Sequence, residues 1–514
     1  MKIVHSIYND GLFRLIIITS LVCGLEFCTS AAFSYIPPLL LKAGVSDSLT
    51  TWLMGCGPLM GFILCPVVGH ASDRCRSRFG RRRPFILGFC ITIIFCLILM
   101  PQSESIGQLL DSPKLGLILL IITCVLFDFA SQACFNPCES LIYDTCKSTP
   151  QEASCFFVYS FMTSFGGCLG YLITAYDWSQ SWLAYYIHGQ EKITFIVILT
   201  FFTLTLCCTL MTANEKSFTD ATIDEQLLIG NEQQHLTSTS SLDMTIWCKN
   251  IDFLLFKVII RIVNVFVQLI IYLILTIVSS IRTIITMPFV LRRLALADCL
   301  SWSAIMTFNL FFTDYVGQTV YGGDPSSPEF SDERQLYDAG VRAGSFGLLF
   351  HCIVGAVYAP ILKPLIYYFG IRLTFSFGMF VFVISMFVMY MSRNIIIVNA
   401  MASLSGLGMA SLTSIPYTLV MLYHSNREVF FADSITIQNR GIGTVLGIID
   451  STYFASQIIS SVLMGYIMLI FKSTLSYIVT SFFLGIFSIY FINRIVIKPP
   501  SGTKNLISPI YIRS

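Results

Sequence analysis

The chain has 514 residues, 55% of them hydrophobic and only 12% charged, with a formal net charge of +2. A soluble domain carries roughly twice that charged fraction, so a soluble globular protein is excluded, and the near-neutral balance leaves no electrostatic footprint for a nucleic-acid partner. A helix needs ~20 apolar residues to cross ~30 Å of hydrocarbon, and twelve stretches of this sequence are long enough.

The first predicted helix, 13–38, is too long for a signal-peptide core and contains Glu26 and Ser30, so it reads as a retained span. The second, 50–70, leads into the most distinctive loop of the chain, residues 72–84. That loop holds Asp73, Gly80, Pro84 and six arginines: Arg74, Arg76, Arg78, Arg81, Arg82 and Arg83. So much positive charge cannot sit in hydrocarbon, and arginines in short loops collect on the cytoplasmic side. Gly80 permits a tight backbone, and Pro84 suits the first turn of the next helix. A topology signal alone would account for the arginines but not for Asp73 and Gly80 among them. The third helix is predicted at 85–101, the fourth at 114–137 running on to Asp144, the fifth at 153–176 and the sixth at 192–212. The fifth carries a small-residue run, Gly166 to Gly170, of the kind that lets helices approach closely.

Residues 213–250 turn polar and read as a linker. The second half supplies helices at 294–316, 340–369, 371–391, 395–423, 440–470 and 474–497. Six helices, a linker and six more form an internal repeat in hydropathy. The expected domains are 1–213, a linker 214–290 and 291–514. Within the linker, 253–285 is apolar enough to span, with Lys257, Arg261, Asn264 and Gln268 on one face. A span there would invert every later helix and put Arg292, Arg293, Arg372 and Arg440 outside, so an interfacial helix is the preferred assignment. Both termini are then cytoplasmic. Asp324, Glu329, Asp332, Glu333 and Asp338 gather in the outer loop between the seventh and eighth helices.

The 18 cysteines lie mostly inside apolar stretches. Cys134 and Cys138 are four apart with no histidine beside them, so small buried hydrophobes are expected rather than ligands, and neither a metal nor a cofactor is implied. A charge at mid-bilayer costs ~2.5–3.5 kcal/mol on an insertion scale, so an acid or amide that persists there faces a cavity or a partner. The clearest set is on the fourth helix, where Asp128, Gln132, Asn136 and Glu139 form one stripe. Asp298 and Asn309 (seventh helix), Arg342 and His351 (eighth) and Asp450 and Gln457 (eleventh) are further polar groups in spans. His351 stands alone and is expected to be a packing residue.

The pattern Asp73-Arg74, Gly80, Arg81 to Arg83, Pro84 resembles the loop between helices 2 and 3 of major facilitator transporters, in the long form of the sucrose–proton symporters and solute carrier family 45. The Phe127-Asp128-Phe129 segment with Pro137, Glu139 and Asp144 is similar to that family's fourth helix. Asp338 and Arg342 match the start of its eighth, and Ile415-Pro416-Tyr417 and Asp450 with Ser456-Gln457 match its tenth and eleventh. The likeness is greatest to prostein-like members of family 45. It implies an all-α membrane protein of the major facilitator fold, with 12 transmembrane helices in two six-helix bundles, working as a proton-coupled symporter of sugars such as sucrose or glucose, or of a related polyol.

On that resemblance Asp128 is the expected proton carrier, with Glu26 and Asp450 as the other candidates. Asp73, Arg74, Gly80, Arg81, Arg82, Arg83 and Asp338 are expected to gate. Gln132, Asn136, Glu139, Asn309, Arg342 and Gln457 would hydrogen-bond substrate, and Trp302 or Tyr453 would stack on a ring face. Plant sucrose symporters have an arginine at the place of Glu139 and an acid at that of Ala343, which bears on whether sucrose itself is the substrate. Expected partners are protons, a sugar or other small neutral solute, and the lipid bilayer of the plasma membrane or an acidic organelle. A non-transporting receptor or scaffold on the same fold, and a channel, are the alternatives. No nucleophile–base pair or metal spacing points to an enzyme.

Overall fold

The computed structural model describes residues 11–45, 47–75, 77, 79–147, 149, 152–175, 190–212, 287–325, 327, 331–431, 441–471 and 473–497. Residues 214–286 of the expected linker, the 253–285 stretch included, lie outside these residues, as do Arg76, Arg78, Glu329 and Arg440; 289 and 290 belong to the seventh helix. Among the described residues, 12 helices are long and apolar enough to cross a membrane. They are α1 (Ser20–Lys42, preceded by a helical turn from Gly11), α2 (Asp47–Asp73), α3 (Arg83–Leu99), α4 (Pro113–Ala133, continuing as Phe135–Cys146), α5 (Cys155–Ala175) and α6 (Gln190–Thr212) in the first half. The second half holds α7 (Phe289–Tyr315), α8 (Asp332–Phe369), α9 (Ile371–Met391), α10 (Ile395–Ser425), α11 (Ile442–Phe471) and α12 (Leu475–Ile492).

Local sequence sets the ends. Gly80 sits at φ +104°, where a side chain would be strained, and Pro84 opens α3 as expected. The sequence reading starts the eighth helix at 340, but α8 starts at Asp332. Ser331 caps it by accepting from the Arg334 amide (3.2 Å), and Asp332 and Glu333 in the first turn complement the helix dipole. Asp338 therefore lies on a helix rather than in a loop. α4 breaks at Cys134, because Pro137 lacks an N–H and its ring crowds the carbonyl of Ala133.

Within the first half α1 packs on α5 and α6, and α4 on α2 and α3; within the second α7 packs on α12 and α11, and α10 on α8 and α9. Gly166 and Gly170 bring α5 onto α1: an added Cβ would lie 2.4 Å from the Cys23 carbonyl oxygen and 2.6 Å from the Ser30 Cβ respectively. The halves meet along α2–α11 and α5–α8.

Polar contacts across this seam concentrate at the end that carries the arginine loop, the loop face. Lys363 of α8 donates to Ser154 at the start of α5 (2.6 Å), and Ser160 of α5 shares a hydrogen bond with Thr413 of α10 (2.6 Å). Within the second half, Arg372 and Arg293 donate to the carbonyls of Ile495 and Arg494 just past α12 (2.6 and 3.1 Å), on the same side. Both halves thus turn corresponding ends to one side, and the conformation is sealed at the loop face.

Candidate functional site

Buried polar residues form three layers stacked along the seam. The layer at the loop face is built on Arg82, which is 1% exposed despite its charge. Its guanidinium donates to Asp73 (2.6 Å), Ser72 (2.6 Å) and Asp144 (3.1 Å). Burial alone would lower its pKa; the carboxylates of Asp73 and Asp144 outweigh burial and hold it charged well above the ordinary range. Asp73 reaches across the seam to the first turn of α11. It accepts from the amides of Gly443 (3.0 Å) and Thr444 (2.8 Å) and from the Thr444 hydroxyl (2.7 Å). An aspartate of one bundle thereby caps a helix of the other. Gly441 and Gly443 make room for it, since a Cβ at Gly441 would lie 2.3 Å from the carboxyl carbon. Of the gating residues named from sequence, Asp73 and Arg82 form the centre, Gly80 the turn, and Arg81 a second, 3.4 Å contact to Asp144. Arg74 and Arg83 flank it, half-buried. Asp338 is not there: it is exposed near the opposite end and pairs with Arg334 at 3.4 Å.

One layer inward, Asp450 of α11 accepts from Asn136 of α4 (2.8 Å), Tyr417 of α10 (3.1 Å) and the Cys65 thiol of α2 (3.6 Å). Glu139 of α4 accepts from Tyr159 of α5 (2.6 Å), and the two carboxyls touch each other. Thr452, just over half a turn beyond Asp450, donates to Asp298 of α7.

The central layer surrounds Tyr453 of α11. Its ring meets the edge of Trp302 (centroids 4.8 Å apart), and its hydroxyl accepts from Gln457 (3.0 Å) and bonds Gln132 of α4. Asp128 and Glu26 lie within electrostatic reach of the same tyrosine. Glu26 accepts from Ser30 (3.4 Å). Asp128 accepts from Gln132 (3.4 Å) through one oxygen, while the other has no hydrogen-bond partner and lies against Gly57 of α2. Trp302 Nε1 and Gln457 Oε1 are likewise buried and unpartnered. A pocket between α1, α2 and α4, walled by Ile36, Leu40, Leu53 and Cys124, ends at Thr29, Asp128 and Ser131 on the half away from the loop face.

The predicted stripe of α4 is divided by the break at Cys134: Asp128 and Gln132 reach the central layer, Asn136 and Glu139 the next. Asn309, also unpartnered at Oδ1, sits roughly two turns beyond Trp302. Arg342 is exposed on the outer half of α8 and is not brought to the central layer. His351 packs as expected, bonded to Ser405 (2.7 Å). Sequence reasoning gave no role to Gly57, Tyr159, Tyr417 or Thr444. Only Tyr417 had a signal, in the Ile415-Pro416-Tyr417 match; the others act through partners on distant helices.

Twelve spans in two bundles, with buried carboxyls along the seam and one end sealed, define a membrane transporter of the major facilitator class. The MFS/sugar transport protein family model matches residues 24–308. Solute carrier family 45 member 3 of Homo sapiens is 31% identical over 94% of this chain and 95% of its own length. The chain belongs to the MFS/sugar transport family, and within it to solute carrier family 45. The membrane-associated transporter protein of Homo sapiens is 29% identical over 81% of this chain and 79% of its own. Proton-associated sugar transporter A of Homo sapiens is 22% identical over 86% of this chain and 80% of its own. The fold matches the proton:xylose symporter XylE bound to 6-bromo-6-deoxy-D-glucose, with a TM-score of 0.59, 13% identity, and coverage of 95% of this chain and 96% of that one.

Proposed function

We propose that the protein is a proton-coupled symporter of a sugar or related neutral polyol, working by alternating access, with Asp128 as the proton carrier. The observation that carries this is the setting of Asp128. It is a buried carboxyl in the middle of a span, with one oxygen unpartnered, at the end of a pocket and beside the amides and aromatic rings of the central layer. A neutral carboxyl is far cheaper to bury than a carboxylate. The loaded site can therefore cross between faces with the proton on, and an unloaded charged site resists closure. Trp302 and Tyr453 offer ring faces, and Gln132 and Gln457 supply the amides that hydroxyl groups need. Asp73 and Arg82 hold the loop face shut while the site faces the other side. The likeness to proton-associated sugar transporters supports the substrate class, and positive charge at the loop face supports a cytoplasmic orientation for it.

The test is uptake of labelled sugars into proteoliposomes with and without a pH gradient. A gradient is expected to drive accumulation. Asp128→Asn, a permanent mimic of the protonated acid, should abolish accumulation and keep exchange of substrate across the membrane, because exchange needs no deprotonation. An Asp128→Asn protein that still concentrates sugar at the expense of the proton gradient would move the role to Glu26 or Asp450.

A further inference from the structure

The contact between Glu139 and Asp450 has a hydrogen-bonding consequence. A carboxylate only accepts, and the donors around this pair can be counted. Asn136, Tyr417 and Cys65 donate to Asp450, and Tyr159 donates to Glu139 Oε1. Glu139 Oε2 receives none of them and is buried, the residue being 1% exposed. The Glu139 carboxyl meets the Asp450 carboxyl and the Tyr417 oxygen, whose one proton is already spent on Asp450. Two acceptors in contact inside a protein need a proton between them, and a buried oxygen left unpaired is costly. The other titratable groups facing the pair are Asp298 of α7, within reach of Asp450, and the Cys138 thiol of α4, within reach of Glu139; Glu26 of α1 acts on Tyr159 behind them. Among the described residues no ion pair joins a lysine or arginine to either carboxyl.

We propose that Glu139 holds a second proton, directed at Asp450, and that this proton keeps the bundles joined on the loop-face side of the site. Glu139 stands on α4 of the first bundle and Asp450 on α11 of the second. With the proton present, the pair is one more hydrogen bond across the seam. Once it leaves, two carboxylates face each other with no cation to separate them, and their repulsion drives α4 from α11. The seam then opens to water at the loop face. The device rests on the transporter reading, and it is separate from Asp128: the first proton loads the central site, and the second decides when the loop face opens.

The test reads the gate itself and needs no substrate. The amides of Gly443 and Thr444 donate to Asp73 only while the loop face is closed, so their hydrogen exchange, corrected for the intrinsic rate, measures opening. It is followed from about pH 5 to 8 in purified Asp128→Asn, His70→Gln protein. This background silences the central carboxyl and the histidine that bonds Thr444. For one linked proton the opening equilibrium should shift toward open by about tenfold per pH unit above the titration of the pair. Adding Glu139→Gln, whose amide is a permanent donor to Asp450, should keep the gate closed and remove the pH dependence. Asp450→Asn, donating in the other direction, should flatten it too. An unchanged pH slope in both variants, or a gate that Glu139→Gln opens, overturns the proposal. Failure of sugar uptake with the slope intact would instead count against the symport reading alone.

Discussion

At the residue scale, the position of Asp128 depends on what is missing opposite it. A Cβ on Gly57 would lie 1.9 Å from Asp128 Oδ2, so no larger residue leaves the carboxyl where it is. Gly57→Ala is expected to reduce proton-driven uptake sharply at normal surface expression. Because both changes act on one carboxyl, Gly57→Ala added to Asp128→Asn should cost little beyond Asp128→Asn alone, and a double-mutant cycle in the uptake assay measures that. Arg82 is a similar case of geometry over charge. One guanidinium serves three side chains through three different nitrogens, which a lysine ammonium does not reproduce. Arg82→Ala leaves two carboxylates without their buried cation and should cost about 3–5 kcal/mol, read as lowered thermal stability. Arg82→Lys should recover only part of it. Since the folded-state pKa of Arg82 is raised, its contribution is fully present below the unfolded value of ~12.5 and is lost only above it. The cation of the latch therefore does not titrate in the working range.

At the element scale, α4 and α11 carry the mechanism. Pro137 divides α4, and its two halves serve different layers. Pro137→Ala restores an N–H and removes the crowding at Ala133. A straighter α4 should misalign Asn136 and Glu139 with Asp450, lowering uptake more than it lowers thermal stability. α11 begins with the amides of Gly443 and Thr444 held by Asp73 of the other bundle. Asp73→Ala removes a capping acceptor worth ~0.5–2 kcal/mol in the closed conformer only. It should raise exchange of the Gly443 and Thr444 amides while the rest of α11 stays protected. Equal loss of protection along the whole helix would show that Asp73 stabilises the fold rather than the gate.

At the scale of the whole molecule, the seam is closed at the loop face, and α6 and α7 leave and re-enter the described structure from that face. Thr209 near the end of α6 bonds the Leu21 amide at the start of α1 (3.0 Å), and Arg293 near the start of α7 bonds the end of α12. With the loop face cytoplasmic, an epitope inserted at Gly322 should be reached from outside intact cells, and one at the N-terminus only after permeabilisation. A cytoplasmic epitope at Gly322 would overturn the orientation.

The sequence by itself determined the spans, the fold class and the identity of the loop at 72–84. The spans rest on composition and local order, on apolar length and clustered arginine; the fold class and the loop's identity rest on the family resemblance that Asp73, Gly80, Arg81 to Arg83 and Pro84 carry. It also marked out most of the buried acids and amides, because a polar group inside an apolar run is visible without coordinates. Only the tertiary structure decided which of them work together. Asp128 and Glu139 share a helix but serve different layers, since the helical rise sets them ~16 Å apart along its axis. Asp73 acts on amides 370 residues away. Arg342 and Asp338, plausible from the same motif matches, end on an exposed stretch of α8. Pairing across the seam depends on how two bundles dock, and a hydrogen bond between helices leaves no periodicity in either of them.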